Sequence, residues 1–200
     1  APHWESYDQD GLEPSMSILE VIDRINERLV AVGREAITFE SDCREGICGA
    51  CGITVNGFAQ GPQDNIPVCH QRLRSFQDGQ TIRLTPFSSA SFPVIRDLMV
   101  DRTGLDAIIE AGGHVALDTG TAPDADATPV RHEIVEDALD FAACIGCGAC
   151  VAACPNGSAN LFLGAKLAHL SLLPLAKEER TRRAKAMVLA ADDHFGPCSN

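Results

Sequence analysis

Early in the chain, Ile18, Ile22, Ile25, Leu29 and Val32 recur at steps of four and three, the spacing of one α-helical face. Ser17-Ile18-Leu19-Glu20 opens the stripe as a capping box, and Gly33 suits the left-handed residue that ends a helix. A core helix is therefore predicted. Three short segments with strand character follow: Ala36 to Glu40, Gly52 to Val55 joined through Asn56-Gly57 to Phe58, and Thr81 to Thr85. Asn-Gly between apolar residues is a strong hairpin signal. The second half changes character. Glu133 to Ala143 carries Ile134, Val135, Ala138, Leu139 and Ala142 at helical spacing, and Leu161 to Leu173 and Glu178 to Ala191 follow, parted by Pro174. Between the halves lie a weak helix near Leu105 to Ala111 and a turn-forming, acidic stretch from Gly112 to His132, expected as an extended surface connection. The pattern reads as α+β: a small mixed domain over residues 1–95, then an all-helical domain over 96–200.

Composition narrows the function. At 200 residues the chain can hold one large domain or two small ones, and with 45% apolar residues it is not a disordered sequence. The net charge of -12 is shared by both halves, so neither offers the basic surface that nucleic acid requires. No apolar run reaches the roughly 18 residues of a membrane-spanning helix. The nearest, Leu167 to Ala176, is broken by His169, Ser171 and Pro174. The N-terminal Ala-Pro-His-Trp-Glu lacks the basic region and apolar core of a signal peptide, so a soluble, intracellular chain is expected. The chain starts without Met and stops two residues after Cys198, so an incomplete copy of a longer protein is expected as well.

Nine cysteines fall into two groups, with Cys198 alone near the end. An odd count and pairs separated by two residues argue for metal ligation over a disulfide framework. The first group is Cys43-x4-Cys48-x2-Cys51 with Cys69 further on, the plant-type 2Fe-2S pattern of three thiolates from one loop and a fourth from a distant segment. Gly46, Gly49 and Gly52 suit a loop whose backbone N–H groups must approach sulfur. Zinc is the competing metal, although it usually takes cysteines as separated pairs. For Cys69 a buried free thiol is the alternative. The second group, Cys144-x2-Cys147-x2-Cys150-x3-Cys154-Pro155, is the bacterial ferredoxin pattern, in which three cysteines hold one cubane and the fourth reaches toward another cluster. Pro155 directs Cys154 away from the first three.

SDCREGICGACG and CIGCGACVAACPNGSAN, in that order, resemble the two signatures of the iron-sulfur subunit of succinate dehydrogenase and fumarate reductase, in a form similar to bacterial menaquinone-linked members. The resemblance implies a β-grasp ferredoxin domain followed by a bacterial-ferredoxin-like helical domain. It also implies that Cys43, Cys48, Cys51 and Cys69 hold a 2Fe-2S cluster, that Cys144, Cys147 and Cys150 hold a 4Fe-4S cluster, and that Cys154 and Cys198 belong to a 3Fe-4S cluster near a quinone, with menaquinone as the expected quinone. Of the family's last motif only the first cysteine, Cys198, is present, so two further ligands are expected past the end of this chain. The implied partners are an FAD-containing flavoprotein and a membrane anchor, which would hold the subunit peripherally at the cytoplasmic face of the bacterial membrane. Two departures concern the quinone: Ser158 and Ala159 stand where many members have tryptophans, and Ser199 stands where a histidine is common. Pro155 and Asn160 match the family pattern, as quinone contacts or as turn-shaping residues.

Other residues have plainer readings. His70 is a cluster hydrogen-bond donor or a solvated loop residue, and His169 is a packing residue. KEERTRRAK, residues 177 to 185, is a solvated basic helix face or a surface docking on a membrane or anchor. No general acid, base or nucleophile stands out, so carbon chemistry would belong to a flavin-bearing partner. Three function classes follow: the electron-transfer subunit of a succinate:quinone oxidoreductase; a ferredoxin-like carrier or subunit of another flavin-linked oxidoreductase; and a zinc-stapled interaction protein.

Overall fold

A computed structural model describes residues 2–87, 89–116 and 129–196, so Cys198 and Ser199 lie outside the described residues. The chain forms two compact units. One is Ala1–Ser88 with Val94–Val100, and the other is Ser89–Pro93 with Asp101–Asn200.

The first unit is built on helix α1, Ile18–Ala31, whose N-terminus is closed by the reciprocal bonds between Ser17 and Glu20. Ile18, Leu19, Ile22, Ile25 and Leu29 are buried on one face. Val32 is 73% exposed, because the helix ends before it and Gly33 turns the chain away with φ 74°. The core joins α1 to Cys51, Ile53, Val55, Val68, Cys69 and Leu98. A three-stranded antiparallel sheet has the order β2-β1-β3, where β1 is Thr54–Val55, β2 is Phe58–Ala59 and β3 is Leu84–Thr85. Thr54 pairs with Ala59 on one side and with Thr85 on the other.

The segment Ala36 to Glu40, expected as a strand, is irregular. Asn26 on α1 supplies what a neighbouring strand would: its amide donates to the Ile37 carbonyl at 2.9 Å and accepts the Ile37 N–H at 2.7 Å. A second hairpin, β4 (Val94–Arg96) with β5 (Met99–Val100), was not signalled by pattern. Leu98 in its turn is buried, and its N–H donates to the Thr38 carbonyl.

Among the described residues the second unit holds only helices: α2 (Thr103–Ile108), α3 (His132–Ala142), α4 (Ala149–Ala153), α5 (Asn160–Leu172) and α6 (Lys177–Phe195). A π-type turn over Ile109–Gly113 continues α2 and packs with it against α6, while α5 packs against α3, α4 and α6. Gly112 and Gly113, expected on a surface connection, are buried. A Cβ on Gly112 would fall 2.7 Å from the Arg183 carbonyl oxygen, so the turn can approach α6 only as glycine. Helix α3 buries none of its side chains, and Leu139 is 60% exposed.

The basic run on α6 is not a uniform solvated face. Arg183 is 1% exposed and donates to the carbonyls of Gly112, His114 and Ala116. Arg180 donates to the carbonyls of Leu173 and Leu175. Arg182 pairs with Glu179. Backbone capping thus consumes two of these cations. Among the described residues no helix is long and apolar enough to cross a membrane.

Candidate metal centres

The loop from Cys43 to Cys51 folds around sulfur. The N–H groups of Glu45, Ile47 and Cys48 point at Cys43 Sγ from 3.3, 3.4 and 3.3 Å, and the Ala50 N–H points at Cys48 Sγ from 3.4 Å. Positive φ at Arg44 (55°), Gly46 (73°) and Gly49 (72°) turns these donors inward. The donors, Glu45 first, bring the Cys43 thiol down to about 7, as expected for a group whose anion is the hydrogen-bonded form. Cys51 goes the other way. Burial first, and then the neighbouring Cys69 and Cys48 sulfurs, push it up to about 12, so it ionises only against a compensating cation.

The four thiols form a connected set of two pairs. The Cys48 side chain acts on the Cys43 thiol, and the Cys69 and Cys48 sulfurs act on Cys51. Cys69 arrives on a 3-10 turn, Val68–His70. Its loop is stapled by Gln71, whose amide donates to the carbonyls of Gln63 (3.0 Å) and Ile66 (3.3 Å), and by Gln60, whose Oε1 accepts the Val68 N–H at 2.8 Å. The His70 ring lies against Gly46, 3.7 Å from where a Cβ would sit.

Gly52 has a different role from the one expected. Its φ is not positive, and its constraint is the Phe87 ring, 2.5 Å from where a Cβ would lie. Arg44 ties the loop to α1 by pairing with Asp23 and donating to Ser41 Oγ at 3.1 Å. Sequence reasoning missed this tether, because Asp23 sits on the polar face of a helix and carries no motif.

In the second unit burial first, then the neighbouring Cys147 and Cys144 sulfurs, raises the Cys150 thiol. Cys150 sits on α4, whose N-terminus follows Gly148 with φ 79°; a Cβ there would meet the Phe92 ring at 2.9 Å. Arg102 donates to the Gly146 carbonyl at 2.7 Å and Lys166 to the Cys144 carbonyl at 2.9 Å, so two cations grip the loop backbone. The Cys154 thiol is lowered by the backbone N–H groups of Ser158 first, then Asn156 and Gly157. Ser158 and Ala159 are buried, while Pro155 and Asn160 are exposed.

All eight described cysteines are free of disulfides. Among the described residues no three Cys, His, Asp or Glu side chains converge on a point that one metal ion would fill. An iron-sulfur core takes thiolates around it with N–H donors aimed at sulfur, which is what the Cys43 loop offers. The residues fit a cluster.

Comparison with known proteins agrees. A family model described as a 2Fe-2S iron-sulfur cluster binding domain matches residues 1–107. The chain belongs to this family. A second model, a 4Fe-4S binding domain, matches residues 138–158, so this member of the 2Fe-2S family carries both kinds of cluster-binding domain. It is similar to the fumarate reductase iron-sulfur subunit of Escherichia coli O6:H1, 30% identical over 80% of this chain and 59% of the relative. It is also similar to the succinate dehydrogenase iron-sulfur subunit of Bacillus subtilis, 28% identical over 88% of this chain and 68% of the relative. The fumarate reductase iron-sulfur subunit of Mycobacterium tuberculosis is 29% identical over 100% of this chain and 76% of the relative. The chain therefore spans about three fifths of the length of the first of these relatives. Among solved structures, a chain of the Mycobacterium smegmatis Sdh1 complex in the apo form shares the fold, with a TM-score of 0.61 and 22% identity over 92% of this chain and 72% of that one.

Proposed function

We propose that the chain is the electron-transfer iron-sulfur subunit of a succinate dehydrogenase or fumarate reductase. It would relay single electrons between an FAD-containing flavoprotein and a quinone, menaquinone by resemblance, at a membrane anchor. One observation carries this reading: a 2Fe-2S and a 4Fe-4S binding domain follow each other in one chain whose relatives bear those names. Bound clusters supply one-electron redox centres. In the first unit, a β-grasp domain, Cys43 with Cys48 and Cys51 with Cys69 would each serve one iron of the 2Fe-2S cluster, and the N–H donors on Cys43 favour its thiolate.

In the helical domain Cys144, Cys147 and Cys150 would hold a 4Fe-4S cluster. Cys154, whose thiolate is favoured by its own separate N–H donors, would serve a 3Fe-4S cluster together with Cys198. The domain limits near residue 95 and the peripheral location at the cytoplasmic face of a bacterial membrane belong to the same proposal. The test is purification from native membranes followed by electron paramagnetic resonance. The chain should be recovered with a flavoprotein, and succinate should elicit the 2Fe-2S signal. Recovery without flavoprotein would make it a ferredoxin-like carrier, and a colourless zinc protein without acid-labile sulfide would refute the reading outright.

A further inference from the structure

Lys166 occupies an unusual place for a lysine. It is 9% exposed on α5, and among the described residues no carboxylate lies within ion-pair reach of its ammonium. Lysine normally lies its stem along apolar surface and keeps the ammonium in water. Here the ammonium turns inward, donating to the Cys144 carbonyl at 2.9 Å and standing 5.7 Å from the centroid of the Phe162 ring. Gly113 closes over the stem, 3.5 Å from Lys166 Cγ to where a Cβ would lie. His169, one turn on and 6% exposed, supplies no anion: burial first, and the Lys166 charge second, hold its imidazole below the usual range. A carbonyl dipole and a ring face offset only part of the cost of taking a cation out of water. The carbonyl that takes the ammonium's hydrogen bond belongs to the loop carrying Cys144, Cys147 and Cys150, so the charge is held against that loop.

We propose that Lys166 is the counter-cation of the cluster held by those three cysteines and sets its midpoint potential. This rests on their reading as 4Fe-4S ligands. Thiolates around an iron-sulfide core leave net negative charge, and uptake of one electron adds one more. A fixed positive charge therefore favours the reduced form over the oxidised one. Lys166 is a positioning residue through Cys144 and an electrostatic one through its charge, and the two roles separate experimentally.

The measurement is a potentiometric titration of the 4Fe-4S signal by electron paramagnetic resonance, on the purified complex carrying wild-type chain, Lys166→Met, Lys166→Gln or Lys166→Arg. At a fixed ambient potential the reduced-to-oxidised ratio should fall about tenfold in the Met and Gln variants, a midpoint ~59 mV more negative for a one-electron couple. Arg should stay near wild type. Gln keeps a donor for the Cys144 carbonyl, so its shift reports charge alone. A wild-type midpoint in either neutral variant that retains the signal would overturn the proposal, as would equal loss of the cluster from all three variants. Loss from both neutral variants with retention in Arg supports it, since charge is what those variants lack. A wild-type complex with no 4Fe-4S signal would instead overturn the ligand reading.

Discussion

Gly52→Ala separates two explanations for the glycine beside Cys51. If Gly52 serves sulfur, its substitution should act on the cluster whatever stands at position 87. If it serves packing, Phe87 decides the outcome. A Cβ at residue 52 would lie 2.5 Å from Phe87 Cε2 and 2.8 Å from Cζ, against an optimum of about 3.5–4.0 Å for carbon pairs. The ring must retreat by about 1 Å, yet Phe87 is 1% exposed and Ile53, next to the glycine, is also 1% exposed. Overpacking of this kind costs about 1–3 kcal/mol. For a domain of 60–100 residues, ~2 kcal/mol corresponds to a fall of roughly 8–16 °C in thermal midpoint. The assay is bleaching of the 2Fe-2S visible absorption in a thermal ramp at one fixed scan rate, because cluster loss is irreversible. Phe87→Leu deletes both clashing atoms; alone it should cost ~1 kcal/mol or more, and combined with Gly52→Ala it should restore at least half of the loss. A single variant that bleaches with the wild type, or a double variant that falls by the sum of its parts, would refute the packing argument.

Other variants test neighbouring contacts. Asn26→Ala removes both bonds to Ile37 and should cost about 2 kcal/mol, with Asn26→Asp intermediate because it keeps the acceptor; equal melting of the three proteins would dismiss the surrogate-strand role. The Glu20 carboxyl is held below its ordinary 4.5, chiefly by the Ser17 N–H. Its stabilisation is therefore present above pH 4.5 and fades as pH falls through the depressed value. Glu20→Gln should flatten this part of the stability-pH curve between pH 6 and 3, and an unchanged curve would exclude the capping box as its source. Arg183→Met leaves the carbonyls of Gly112 and His114 without their buried donor and should cost ~3 kcal/mol or more in a far-ultraviolet melt, with Arg183→Lys recovering only part of the loss. A Met variant within ~1 kcal/mol of wild type would show that water takes over those carbonyls.

The legible features were the local ones. The α1 stripe and its cap, the Asn-Gly hairpin, the helices flanking Pro174 and both cysteine motifs could be read because period, capping and ligand spacing repeat within a few residues of themselves. Three cysteines of each motif share one tight loop, so their spacing survives in one dimension, whereas Cys69 comes from a distant segment. Strand character at Ala36 to Glu40 misled, since apolar alternation there serves packing while the hydrogen bonds come from a helix side chain. The basic run misled in a related way: charge along a helix says nothing about which carbonyls lie opposite, and Arg180 and Arg183 turn inward to cap them.

By itself, then, the order of residues determined which thiols stand together, where α1 begins and ends, and that a mixed unit precedes a helical one. Tertiary structure alone decided what surrounds those thiols. Arg44 meets Asp23 across 21 residues, Lys166 meets Cys144 across 22, and Arg102 meets Gly146 across 44. Such partners leave no periodic trace, because a single long side chain needs only one matching point on a distant surface. The environment that sets each sulfur's charge is therefore written only in three dimensions.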